Sequence, residues 1–284
     1  MLQLQHKAMA TVFEIRSTGE DPHLLRQAAR AAFDVIDRLE HMLSRYIENS
    51  DISRINHLAA GESALVGYET MQCLQLAQLL YAETGGAFDV SIGTGFTNLE
   101  LVPEESRVVA RADDVRLDLG AIGKGYAVDR MADVLEDWDV SRVLIQAGAS
   151  SVLALDPSDH EDGWPLTLSE PGQDGLVLVR LSVRQYALGA SGIRKGDHIV
   201  NGLEGTPVRS RSAAWVSAPR HVLADLGRRA GVEASAAAVA DALSTAFMIS
   251  PVEEIEACCR SHDGLEAWIL ADTFQHFPAN LQSE

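Results

Sequence analysis

The run from Ala237 to Met248 places one carboxylate, Asp241, in an otherwise mostly apolar, alanine-rich stretch. The pattern predicts a helix over roughly Ala234 to Ile249. A buried carboxylate without a partner is costly, so Asp241 must be neutralised, paired or bound to a metal. Thr245 lies four residues on, hence on the same helix face, and an all-oxygen pair of this kind suits Mg²⁺ better than zinc. Two alternatives stay open: Asp241 pairs with an arginine or lysine, or it caps a helix that starts elsewhere.

Helical and strand-like segments are mixed along the chain without strict βαβ alternation, which favours an α+β fold with mixed or antiparallel sheets and flanking helices. Asp21-Pro22 predicts the start of a long amphipathic helix. A second helix is predicted from Tyr68 to Thr84, ended by Gly85-Gly86, and a third is predicted after Gly125. Strands are predicted at Val115–Leu119, Arg142–Ile145, Val152–Leu155, Leu176–Leu181, His198–Val200, Ala214–Val216 and Ala267–Leu270.

The net charge of −18 argues against general nucleic-acid binding, because phosphates would be repelled. A phosphate-bearing ligand would therefore need local help from a metal ion or from backbone N–H groups. No stretch approaches the length of about 20 apolar residues that a membrane helix needs. The start of the chain has no apolar core of a signal peptide and no lipoprotein cysteine, so we expect a cytoplasmic protein unless a leader was removed. The three cysteines, Cys73, Cys258 and Cys259, are expected to be reduced thiols.

Three further segments carry candidate chemistry, each with a structural alternative. The turn Gly120–Gly125 leads from a predicted strand into a helix, where free N–H groups can receive phosphate oxygens, or it is a structural turn only. After Gly85-Gly86, Phe88 offers a ring for stacking and Asp89 an acceptor, but a helix C-cap entering a strand explains the same glycines. His198 is a candidate general base near neutral pH, with a structural histidine as the alternative.

Taken in order, these segments resemble the ApbE family, the FAD:protein FMN transferases. The likeness covers nearly the whole chain and implies one ApbE-like, T-fold-like domain of two lobes over residues 1–284. Six segments carry it: Met9-Ala10-Thr11; Leu43–Tyr46 with Ser50–Asn56; Gly86–Asp89; Leu117–Asp129; His198 with Gly205–Val208; and Asp241–Ala246.

The resemblance also implies roles for individual residues. Asp241 and Thr245 would hold Mg²⁺, together with a backbone carbonyl near Ala121. His198 would be the catalytic residue tied to transfer. The FAD pocket would be lined by Met9, Tyr46, Ala87, Phe88, Asp89, Asp118 and Lys124.

The implied reaction is Mg²⁺-dependent transfer of FMN from the substrate FAD to a Thr or Ser hydroxyl of an acceptor flavoprotein, with release of AMP. The chain departs from the family pattern at Asn201-Gly202, at Ala190-Ser191-Gly192 and at Gly148-Ala149-Ser150. Two alternatives therefore stay open: an FAD pyrophosphatase that yields FMN and AMP, and a catalytically weak protein that binds or delivers FAD.

Overall fold

An antiparallel sheet of eight strands is the largest element of the computed structural model, which describes residues 1–18, 20–157, 162–172, 176–193, 200–201, 206–233 and 235–278. The strands of the described residues are β1 (Leu2–Ala8), β2 (Thr11–Ser17), β3 (Ser63–Leu65), β4 (Leu99–Val102), β5 (Arg107–Ala110), β6 (Val143–Ala147), β7 (Ser151–Ala154), β8 (Trp164–Ser169), β9 (Val177–Val183), β10 (Tyr186–Gly192), β11 (Val200–Asn201), β12 (Thr206–Pro207), β13 (Ala213–Pro219), β14 (Glu266–Leu270) and β15 (Phe274–Phe277). The main sheet has the order β1-β2-β6-β7-β10-β13-β14-β15, and three small antiparallel sheets are formed by β3-β5-β4, β8-β9 and β11-β12.

Helices cover one face of the main sheet. The α-helices of the described residues are α1 (Pro22–Leu43), α2 (Asp51–Ile55), α3 (Tyr68–Glu83), α4 (Gly123–Asp137), α5 (Arg220–Arg228), α6 (Ala236–Ala246) and α7 (Val252–Ser261). Short 3₁₀ turns lie at Phe96–Asn98 and at Pro103–Glu105. The α+β class with antiparallel sheets and flanking helices is therefore confirmed. No helix of the described ranges is both long and apolar enough to cross a membrane.

Both faces of the main sheet are buried at its centre. In β13, Ala214 and Val216 point into the large core beneath the helices, whereas Ala213 and Trp215 join a second cluster with residues of β8 and β9. Because successive side chains of a strand alternate between faces, this arrangement buries nearly every residue of β13.

Helix α6 lies unusually close to its neighbours, which explains its small residues. A Cβ atom added at Gly125 of α4 would lie 2.3 Å from the carbonyl oxygen of Ala237, and one at Gly189 of β10 would lie 2.0 Å from that of Ala240. Only glycine permits such backbone contact. The predicted helix in this region is confirmed, although it begins at Ala236 and ends at Ala246.

The prediction of a strand at Val115–Leu119 is wrong. The side chain of Asn56 pairs with Leu117, accepting from its backbone nitrogen (2.6 Å) and donating to its backbone oxygen (3.0 Å). The amide of Asp118 donates to the carbonyl of Val90 (2.8 Å). These contacts satisfy the extended backbone without a ladder partner.

Most of the other predicted elements are confirmed within one to three residues at their ends. The long helix begins after the N-cap Asp21, whose side chain accepts from the amides of His23 and Leu24, and the second helix ends at Glu83 before Gly85-Gly86. Of the predicted strand at His198–Val200, only Val200 lies within the described residues, as part of β11. All three cysteines are free thiols, as expected.

Candidate functional site

Asp241 projects from α6 toward the first turn of α4. The backbone nitrogen of Gly125 donates to its Oδ2 atom (3.2 Å), and the Lys124 ammonium lies 3.4 Å from the same oxygen. Ser151, at the start of β7, also contributes a side-chain hydrogen bond. Because the first four amides of a helix lack intrahelical partners, the N-terminus of α4 is a natural place for a negative charge.

Burial controls the electrostatics of this carboxylate. Asp241 is 2% exposed, and burial raises its pKa, while Lys124, Ser151 and the Gly125 amide oppose that shift. The sequence alternative that Asp241 pairs with a lysine therefore has a geometric basis here. The cation comes from α4, so no pattern within α6 could have revealed it.

Thr245 lies one turn further along α6 and belongs to a small group of hydroxyls. Its Oγ1 atom is 2.8 Å from the Ser191 hydroxyl of β10 and 3.3 Å from the backbone oxygen of Asp241. Ser191 also lies 2.9 Å from the Ser244 hydroxyl. The side chain is half-buried, so the hydroxyl has a fixed position and is still reachable.

The third predicted metal ligand belongs to the turn that precedes α4. Ala121 is half-buried and directly follows Gly120, whose carbonyl accepts a hydrogen bond from the Lys124 ammonium. One carboxylate with neutral hydroxyl and carbonyl oxygens is a donor set suited to a hard cation such as Mg²⁺. Within the described ranges, no cluster of three or more His, Cys, Asp or Glu side chains could hold a metal. A softer, nitrogen- or sulfur-rich metal centre has no counterpart there.

Asp129 forms the reverse contact between the same two helices. Its carboxylate accepts from the amides of Ala237 (2.9 Å) and Ala238 (2.8 Å), which open α6. Each helix thus offers a carboxylate to the N-terminal amides of the other, and we call the four residues Gly125, Asp129, Ala237 and Asp241 the helix junction. Burial raises the pKa of Asp129 to about 7, against the effect of the two amide bonds. No role for Asp129 was predicted from the sequence, although it lies at the end of the matched Leu117–Asp129 segment.

Two of the predicted FAD-pocket residues, Tyr46 and Asp118, lie together in an open cleft beside the turn. We call this the Arg45 cleft; its other lining residues include Arg45, Asn56, Thr94 and Arg116.

Arg45 connects the two predicted residues. It lies over the Tyr46 ring (4.7 Å to the centroid), donates to the Tyr46 hydroxyl (2.6 Å), and places Nε 3.3 Å from Asp118. Tyr46 is 80% exposed. Arginine has both a planar face and fixed donors, so it can order an exposed ring. Arg45 lies within the matched Leu43–Tyr46 segment, but the sequence pointed to no role for it.

The remaining predicted pocket residues are held by local structure. Phe88 is a core residue at 1% exposure, and buried Ala87 precedes it. Asp89 accepts from the amide and hydroxyl of Ser91 and from the amide of Gly93. The helix C-cap at Gly85-Gly86 is present, but turns follow it where the structural alternative placed a strand. FAD contact by this segment stays a prediction.

Met9 lies in the tight turn between β1 and β2, with φ of 48°. Its amide donates to the Glu40 carboxylate of α1 (2.8 Å), which fixes the turn. His198, the predicted catalytic residue, lies outside the described residues.

Comparisons with known proteins relate most of this chain to one family. The ApbE family model matches residues 9–97 and 93–269. An FAD:protein FMN transferase of Klebsiella pneumoniae is 23% identical over 78% of this chain and 75% of its own length, and one of Vibrio cholerae is 22% identical over 74% of each. Among solved structures, the flavin transferase ApbE from Vibrio cholerae superposes with a TM-score of 0.79 at 19% identity, covering 98% of this chain and 97% of that one. The ApbE protein from Thermotoga maritima gives 0.78 at 21% identity over the same shares.

Proposed function

The chain belongs to the ApbE family, and on that premise we propose that it transfers FMN from FAD to a Thr or Ser hydroxyl of an acceptor flavoprotein. The oxygen of the acceptor forms a new bond to the FMN phosphorus, the pyrophosphate bond breaks, and AMP leaves. The curated relatives with the name FAD:protein FMN transferase support this reading.

The observation that carries the proposal is the buried Asp241 carboxylate at the start of α4, with the Thr245 hydroxyl one turn away. Asp241, Thr245 and the backbone oxygen of Ala121 would hold Mg²⁺. When bound, Mg²⁺ would offset negative charge on the pyrophosphate as phosphoryl transfer proceeds.

Lys124 gives the site a second source of positive charge. Its ammonium contacts both Asp241 and the Gly120 carbonyl, at the turn whose free N–H groups are candidates to receive phosphate oxygens. In a chain of net charge −18, such local charge is needed to hold the pyrophosphate of FAD. Lys124 would bind and orient a phosphate oxygen once Asp241 takes a metal as its partner.

The Arg45 cleft would hold a ring system of FAD against the exposed face of Tyr46, while Asp118 and Arg45 set the position of that ring. His198, which we propose as the general base, would take the proton of the attacking hydroxyl. Positioning of the two reacting groups accounts for much of the expected acceleration, because no covalent intermediate on this chain is required.

The test is incubation of the protein with FAD, Mg²⁺ and a flavoprotein that carries a Thr or Ser flavinylation site. Flavin fluorescence on the denatured acceptor, with one AMP per FMN transferred, is the expected result, and EDTA should abolish it. Free FMN and AMP without labelled acceptor would show a pyrophosphatase instead. Intact FAD that nevertheless binds would show a delivery protein, and either outcome would overturn the proposal.

A further inference from the structure

We propose that Asp129 is a positioning residue that sets the place of Asp241, and through it the affinity of the site for Mg²⁺. The inference rests on the proposed function, because it concerns the same metal site. Asp129 itself touches neither the predicted metal ligands nor the Arg45 cleft.

The helix junction is a crossed set of contacts between two pairs of residues with the same spacing. Gly125 and Asp129 are four residues apart on α4, and Ala237 and Asp241 are four apart on α6, so each pair lies on one helix face. The Asp129 carboxylate accepts from the amides of Ala237 and Ala238, whereas the Gly125 amide donates to the Asp241 carboxylate.

Between these two contacts the helices meet backbone to backbone. A Cβ at Gly125 would lie within 2.3 Å of the Ala237 oxygen, so α6 has no room to move toward α4. It can still turn or slide about that contact unless both ends are held. Asp129 holds the first turn of α6, and Asp241, one turn away, takes its position from that restraint.

Asp129 is 1% exposed, so its two bonds are made in a low-dielectric environment where they are strong and specific. The charged groups that act on it are Arg130 and Asp133 of α4 and Arg220 of α5. Asp133 supplies a control on the same helix, since it lies one turn along α4, is half-buried and pairs with Arg130 (3.1 Å).

The experiment compares Asp129→Asn with Asp133→Asn in the full chain. Asparagine preserves the size of the side chain but places its NH₂ group, a donor, against one of the two backbone amides of α6 that donate to the Asp129 carboxylate. Backbone hydrogen exchange is read at the amides of Ala237 and Ala238, which donate to Asp129, and at the amide of Gly125, which donates to Asp241. Mg²⁺ affinity is measured by calorimetry with FAD present, and the transfer rate is measured against Mg²⁺ concentration.

For Asp129→Asn we expect faster exchange at all three amides. We also expect Mg²⁺ affinity to fall by about 10-fold or more, as for other residues that orient metal ligands, while the rate at saturating Mg²⁺ changes less. Asp133→Asn should leave the Gly125 amide and the Mg²⁺ affinity unchanged.

A role confined to fold stability predicts a different pattern. Exchange would then rise at Ala237 and Ala238 alone, thermal stability would fall, and Mg²⁺ affinity would stay within about twofold of the wild-type value; that pattern would overturn the inference. Should Asp129→Asn fail to fold, Asp129→Ser, whose shorter side chain places no NH₂ group against the α6 amides, takes its place in the same comparison. If the wild type transfers no FMN, the proposed function fails, but the exchange at Gly125 still decides whether Asp129 positions Asp241.

Discussion

The helix junction and the Arg45 cleft lie at opposite ends of the turn that precedes α4, and they are built in opposite ways. At the junction, Asp129 and Asp241 are fully buried and bond to backbone amides, with the helices in direct backbone contact. In the cleft, Arg45 and Tyr46 are exposed side chains held by an ion pair, a hydrogen bond and a ring contact.

This difference in burial suits the helix junction and the Arg45 cleft to different functions. A buried carboxylate in a rigid frame has a strong energetic demand for a cation and a fixed place to hold it, which suits the chemical step. Exposed ion pairs contribute little energy individually and leave side chains free to adapt, which suits substrate capture. Substitutions at the junction should therefore have large effects on activity and stability, and substitutions in the cleft should have small ones.

The largest effect is expected from Asp241→Asn. Asparagine keeps the shape of the side chain and removes the charge that a metal needs. Mg²⁺-dependent transfer should fall by at least about 100-fold, because altering residues that merely orient a metal ligand already costs about 10–100-fold in affinity or activity. The fold should persist, since a neutral amide is cheaper to bury than a carboxylate.

The check is the transfer rate with circular dichroism as a fold control and Asp225→Asn as the matched variant. Asp225 lies on α5 beside Arg228 and its side chain is 63% exposed, so its replacement should be tolerated. Normal Mg²⁺-dependent turnover by Asp241→Asn would show that Asp241 does not bind the metal. Its ion pair with Lys124 would then be its main role.

A second effect tests whether backbone contact is what makes the junction rigid. Gly125→Ala should lower the free energy of unfolding by about 1–3 kcal/mol, because its Cβ would overlap the Ala237 carbonyl and force the helices apart. Gly123→Ala, two residues earlier in α4, meets only ordinary contact with Leu119 at 3.9 Å. It should be neutral or stabilising by a few tenths of a kcal/mol, as at other unstrained glycines. Urea unfolding of both variants measures the difference, and equal losses would show that close contact does not hold the junction.

A third effect is the pH dependence that Asp129 gives to stability. Burial raises the pKa of Asp129 to about 7 in the folded chain, well above its ordinary value. Between about pH 4 and pH 7 the folded state then binds more protons than the unfolded state. This group therefore makes the free energy of unfolding fall as pH rises, by up to about 1.4 kcal/mol per pH unit.

Asp129→Asn cannot titrate, so the stability advantage of the wild type over this variant should be larger at pH 5 than at pH 8. Denaturant unfolding at several pH values measures it. Asp133, whose pKa is also raised by burial, is present in both proteins, so its own titration is removed from the difference and only its interaction with Asp129 stays in it. Parallel profiles would mean that the two amides of α6 hold Asp129 ionised over the whole range.

The sequence predicted the fold class and the position of the buried α6 because those depend on local apolar pattern. It did not predict the β1–β2 hairpin, whose turn uses Met9 and Ala10 in left-handed conformations instead of glycine or asparagine. It was wrong about Val115–Leu119, where one distant side chain, Asn56, replaces a neighbouring strand. It left open that Asp241 pairs with a lysine but did not identify Lys124, and it missed the pairing of Asp129 with α6, since both contacts join residues more than a hundred positions apart.

The smallest effect is expected from Arg45→Ala in the cleft. Losing the contacts of Arg45 with Asp118 and the Tyr46 ring should raise the FAD concentration for half-maximal transfer by a few-fold, because exposed ion pairs are worth about 1 kcal/mol or less. The maximal rate and the Mg²⁺ requirement should be unchanged, since neither depends on the cleft. Arg30→Ala, an exposed position on α1, is the matched control and should alter nothing. If Arg45→Ala instead lowers the maximal rate strongly and leaves the FAD requirement unchanged, Arg45 acts on the reacting groups. The cleft would then serve the chemical step as well as FAD binding.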